Sequence, residues 1–113
     1  MFKFPFVYVI SSGSLTAGTS SAITQVFSSV KDFKLRYIRS TGNSDMTLSI
    51  NEVSGNNFTS AALNTSLIGG VTNNGVPVMD DIIIPKGTQI KFTFTNGGAS
   101  TVTEQLQLWG YEV

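Results

Sequence analysis

Cysteine and histidine are both missing from this chain of 113 residues, and charge is scarce. Without cysteine there is no disulfide framework, no thiolate nucleophile and no redox compartment to infer. Without histidine, the commonest general base and the commonest transition-metal ligand are gone. Serine–histidine triads, zinc hydrolases and haem sites are thereby excluded. An enzyme would have to work with a carboxylate pair or a lysine nucleophile. The carboxylates are Asp32, Asp45, Glu52, Asp80, Asp81, Glu104 and Glu112, and none falls in a recognisable catalytic motif. The reading is a non-enzyme with no catalytic residues, no metal and no cofactor.

Charged residues make up 12% of the chain, about half the usual share for a soluble domain. Seven basic and seven acidic side chains cancel, so no net field draws the molecule to nucleic acid or to an anionic membrane. Ser, Thr, Asn and Gly must supply the polar surface, and these residues suit strands and turns better than helices. Such a surface repels its neighbours weakly and fits a protein that spends its life packed against others. No segment is long enough to cross a bilayer as a helix. The opening MFKFPFVYVISSGSLTAG has one lysine and an apolar run, faintly like a short signal peptide. A soluble, unprocessed domain is the expectation.

Alternation is the dominant signal. Phe2, Phe4, Phe6, Tyr8 and Ile10 share one face of an extended opening segment. Phe33, Leu35 and Tyr37 alternate with Lys34, Arg36 and Ile38. The same texture recurs at Met46–Asn51, at Ile90–Thr95, and where Leu106 and Leu108 alternate with Gln105, Gln107 and Trp109. One wet face per strand points to antiparallel sheets. Ile82, Ile83 and Ile84 are apolar on both faces and read as a more central strand. Ile23, Val26, Phe27 and Val30 carry helical spacing, but Ala22, Thr24 and Val26 alternate, and strand is preferred. Residues 61–67 read as irregular or a short helix capped by Ser60.

Turn signals separate the runs. Thr41-Gly42-Asn43-Ser44 reads as a hairpin bend, and 53–57, 72–75 and Asn96-Gly97-Gly98 as further reversals. Pro85-Lys86-Gly87 fits a type II turn with proline at the first central position and glycine at positive φ. A phosphate loop would need more glycines and a following helix. Taken together, the chain is expected to be all-β, an antiparallel two-sheet β-sandwich over 1–113 as a single domain, with residues 1–10 as an extended arm or edge strand. A jelly roll is the first choice, ahead of a fibronectin-like sandwich or a Greek-key barrel.

Few residues stand out as contact-makers. Asp80 and Asp81 point to opposite faces if their strand is regular, so they are read as solvated charges rather than calcium ligands. Lys31, Lys34, Arg36 and Arg39 form a basic cluster in which Lys34 and Arg36 project together. No stacking aromatic interleaves with them, which argues against nucleic acid. Trp109 and Tyr111 fall on the face opposite Leu106 and Leu108, where aromatics anchor an interface or a sugar, unless a bulge near Gly110 turns them inward. Phe2, Phe4 and Phe6 must pack on their own sheet or on a neighbour.

The stretches FVYVISSGSLTAGTS, DFKLRYIRSTG, the IGG at 68–70 and IIIPKGTQIKFTFTNGGASTVTEQLQLWGYEV resemble small jelly-roll structural proteins of bacteriophage particles. The resemblance lies in an apolar-Pro-x-Gly-Thr bend, a strand ending Thr-Asn, a small-residue turn and a last strand closing on Gly-aromatic. It implies a virion protein, such as a capsid decoration, vertex or minor capsid subunit, assembled in the host cytoplasm. It also implies homo-oligomers and partners among other virion proteins, whether the major capsid protein or those of the vertex or portal region. Phe2, Phe4, Phe6, Lys34, Arg36, Trp109 and Tyr111 would carry the subunit contacts. The competing reading is a carbohydrate-binding sandwich, receptor-binding or adhesin-like, that stacks a sugar on Trp109 or Tyr111.

Overall fold

The computed structural model describes residues 4–28, 30–55, 58–59, 61–68 and 76–113, with backbone only at Phe4, at 67–68 and at 76–81. Phe2, Ser60, the reversals expected at 56–57 and 72–75, and Gly69-Gly70 lie outside the described residues. Among the described residues eight strands are present: β1 (Phe4–Leu15), β2 (Ser20–Val26), β3 (Phe33–Ser40), β4 (Met46–Glu52), β5 (Leu63–Asn64), β6 (Val76–Ile84), β7 (Gln89–Asn96) and β8 (Val102–Glu112). A 3-10 turn, Thr65–Ile68, follows β5.

All pairings are antiparallel and build two sheets, β1-β8-β3-β6 (sheet A) and β2-β7-β4-β5 (sheet B). Every connection between consecutive strands except β4–β5 passes from one sheet to the other. This interleaving is the jelly-roll order, and it confirms the two-sheet sandwich read from the alternation.

The alternation works as expected in β7 and β8. Ile90, Phe92 and Phe94 turn inward, as do Leu106 and Leu108, while their odd-numbered neighbours face water. Phe27, Phe33, Met46 and Leu48 join them in the core, with Ile10, Leu15, Leu35 and Ile84. Full burial of an apolar side chain of this size contributes about 1.5–3 kcal/mol. At one end Tyr8 packs against Phe27 and Phe33, with ring centroids 4.4 and 5.0 Å away. Its hydroxyl accepts the Ser28 amide at 3.0 Å. The strand reading of Ile23 holds: β2 is extended with Ile23 half-buried and Val26 exposed.

Four local expectations are corrected. Thr41–Ser44 is no hairpin, because β3 and β4 belong to different sheets. The isoleucine run is not in a central strand: β6 is at the edge of sheet A, and Ile83 is 51% exposed. In the Pro85 bend the Thr88 amide donates to Pro85 O at 3.2 Å. Proline therefore takes the first corner, and Lys86 and Gly87 (φ +78°) are the central pair. Finally, Tyr37 does not share a face with Leu35. Leu35 pairs with Gly110 but Tyr37 pairs with Trp109, so β3 carries one extra residue, Arg36. A bulge of this kind reverses the parity of everything beyond it. Ile38 and Ser40 therefore turn inward and Tyr37 turns out.

Candidate functional site

Sheet A presents an outer face on which separate stretches of sequence converge. Across it run three rows: Pro5–Tyr111–Lys34–Ile83, Val7–Trp109–Tyr37 and Val9–Gln107–Arg39. Strand β8 lies between β1 and β3 in each, which brings the two ends of the chain beside residues 34–39.

Trp109 is 42% and Tyr111 37% exposed, on the face opposite Leu106 and Leu108. The irregularity lies in β3 at Arg36, so β8 runs straight through and keeps both rings outside. Gly110 makes this possible. A Cβ there would overlap the Lys34 carbonyl and come within 2.8 Å of Phe33 Cζ, so the bulge rests on a position without a side chain. Trp109 Nε1 donates to Gln107 Oε1 at 2.9 Å, and Gln107 Nε2 donates to Gln105 Oε1 at 2.9 Å. The indole is thus held along its own strand with its polar edge satisfied.

Of the other expected contact-makers, Lys34 sits directly across from Tyr111 and is half-buried. Arg36 is exposed at the bulge. Phe6 pairs with Gly110 on the inward side, lies 4.9 Å from Tyr8 by ring centroid, and is still 41% exposed because β1 runs to the end of the sandwich. Phe4 pairs by its backbone with Glu112. Asp80 and Asp81 contribute backbone to β6, and their side chains lie outside the description. No carboxylate occupies a described outward position of β1, β3 or β8.

Sheet B's outer face is different. Ser20, Ala22, Thr24, Lys91, Thr93, Thr95, Thr47, Ser49 and Asn51 cover it, with Ser20 and Thr95 hydroxyls 2.8 Å apart. One side of the molecule is hydroxyl-rich and the other is aromatic, aliphatic and basic. Sequence reasoning missed Tyr37, Val7, Val9 and Ile83 as members of the second face. The parity of Val7 and Val9 was legible, whereas that of Tyr37 depends on the bulge.

A second feature is interior. Glu104 is fully buried, in register with Leu106 and Leu108. Its Oε1 accepts the Gly42 amide at 2.7 Å, and Oε2 is buried with no partner. Burial pushes this carboxyl up from the usual carboxylate range, opposed chiefly by the hydrogen bond from the Gly42 amide. Among the described residues no cluster of three or more acidic, His or Cys side chains could hold a metal. The Lys86-Gly87 bend is no anion cradle either. Its amides donate to Asp32 Oδ1 and Ser28 O, 2.8 and 2.7 Å away.

No family model and no curated protein matches this chain. Among solved structures it is similar to one described as "Structure of infectious bursal disease virus Gx strain". Identity is 16%, the TM-score is 0.35, and the match covers 93% of this chain but 32% of that one. This chain therefore spans about a third of its neighbour's length. Similarity at that level decides neither fold nor function.

Proposed function

We propose that the chain is a non-enzymatic structural subunit of a virus particle, of the bacteriophage type its sequence resembles, acting through repeated protein contacts. The observation that carries this reading is the asymmetry between the two outer faces. Aromatic and aliphatic side chains exposed together on a sheet are the usual mark of a protein interface. Here they gather on sheet A beside Lys34, Arg36 and Arg39, while the hydroxyl-rich face of sheet B is suited to water. Lys34, Arg36 and Arg39 give the contact an electrostatic component. Identical weak contacts add up over a symmetric array, so modest individual affinity suffices.

The test is absolute mass by light scattering across a concentration series. A closed oligomer or growth into larger assemblies, weakened by salt, is the expected result. A mass that stays monomeric throughout, together with a saturable glycan titration, would overturn it.

One observation favours a second reading. Tyr37 pairs with Trp109, and Tyr111 lies two residues further along the same outer face, an aromatic group on which a saccharide ring could stack. In that case quenching of Trp109 fluorescence saturates with added glycan and the protein remains monomeric.

A further inference from the structure

The two sides of the sandwich close differently. On one side β1 packs against β2. On the other, sheet B ends in β5, which is two residues long, opposite the nine-residue edge strand β6. A short strand cannot cover a long one, and a cavity of about 260 Å³ lies between the sheets there. Its floor is Phe92, Ile90 and Leu108, all deeply buried, and its mouth is Phe58 and Ile82, both exposed. The rim is tied down, since the amides of Phe58 and Thr59 both donate to Ile50 O at 3.0 and 3.3 Å. Among the described residues no charged side chain lines the space, and the one polar side chain, Thr59, already accepts the Ile50 amide at 3.2 Å.

Packed interiors tolerate few voids larger than a water, and a dry apolar cavity of about 150 Å³ is enough to take up benzene. A water's share of liquid volume is about 30 Å³, so this space corresponds to roughly nine non-hydrogen atoms. We propose that the cavity between β6 and β5 is a binding site for a small uncharged aliphatic molecule, or for the tail of a larger one whose polar end remains at the mouth. The lining decides the chemistry. A neighbouring chain entering there would bring backbone amides and carbonyls into walls that offer them almost nothing to bond, whereas an aliphatic chain leaves no polar group unsatisfied. The site does not rest on the particle reading and stands whether or not the chain assembles.

The test is isoleucine-methyl NMR of the purified chain titrated with n-octanol. Saturable shifts are expected at Ile38, Ile50, Ile82, Ile84 and Ile90, with Ile10 and Ile23 unmoved. Ile50→Phe, which fills the space, should weaken binding at least tenfold while the remaining methyl positions persist. Should that variant fold poorly, Leu63→Phe on the neighbouring strand β5 reads the same outcome. Shifts that rise without saturating at all isoleucines, or equal affinity in the filled variants, would sink the proposal. So would shifts at these methyls that follow protein concentration without octanol, which would make a second copy the occupant.

Discussion

The Gly42 amide donates to Glu104 Oε1 at 2.7 Å, and the other oxygen of that carboxyl is sealed in the protein without a partner. Flanking hydroxyls do not remedy this. Ser40 Oγ donates to Thr65 O at 2.8 Å, and Thr65 Oγ1 donates to Asn43 O at 3.1 Å, so both hydrogens are committed to backbone carbonyls. What the hydroxyls still offer is lone pairs, which suit a protonated carboxyl that can itself donate.

Stability should therefore depend on pH through Glu104. Its folded pKa lies above the unfolded value of about 4.5. A group shifted upward favours the fold fully below the unfolded pKa and loses that contribution as pH rises through the folded pKa. Urea midpoints should thus fall as pH rises above the unfolded value, until the folded carboxyl has ionised. Glu104→Gln, whose amide supplies a permanent donor, should remove this component and stabilise the protein by about 1–3 kcal/mol at pH values where the buried carboxyl is ionised. An unchanged pH profile in the variant would rule out Glu104 as its source.

Gly110 is the position on which the Arg36 bulge rests. Gly110→Ala places a methyl against the Lys34 carbonyl and the Phe33 ring. Backbone cannot yield as a flexible side chain does, so a loss of about 1–3 kcal/mol is expected, read as a lower denaturation midpoint. Amide shifts at residues 34–37 should move with it. A neutral substitution would mean that the bulge relaxes freely.

Asn96 ends β7 fully buried, and its side chain makes three hydrogen bonds. Nδ2 donates to Leu15 O and Ser100 O at 2.9 and 2.7 Å, and Oδ1 accepts the Gly98 amide at 2.9 Å. Asn96→Ala strands three backbone groups, one at the end of β1 and two in the loop before β8. It should cost about 3 kcal/mol in chemical denaturation and open the 97–101 loop to proteolysis first.

Trp109 is partly exposed and bonded only within its own strand. Trp109→Ala should leave the monomer folded, with a loss of about 1 kcal/mol or less from cross-strand packing on Val7 and Tyr37. Assembly seen by light scattering should be lost. If the isolated variant instead unfolds, the ring is structural and the interface assignment fails.

Strand character and facing were legible wherever the alternation was unbroken. In β7 and β8 each inward residue could be named from spacing, and the exposure of Trp109 and Tyr111 followed from the same parity. Glu104 was legible too, since it keeps step with Leu106 and Leu108. Its burial could have been read from that alone. Parity failed at Tyr37, because a single inserted residue at Arg36 leaves no mark in local composition.

Turn chemistry was also only half informative. Gly87 takes the positive φ its bend requires, yet nothing in Thr41–Ser44 or Pro85–Thr88 says whether the next strand stays in the same sheet. Sequence by itself determined that this protein is built of amphipathic strands around an aromatic and aliphatic core, because side-chain period is a local property of the backbone. Only the tertiary structure decided which strands pair, that β6 lies at an edge, that a two-residue β5 leaves a cavity, and that positions 5–9, 34–39 and 105–111 share one face. Those outcomes rest on hydrogen bonds between residues far apart in the chain, and no local pattern specifies the partner.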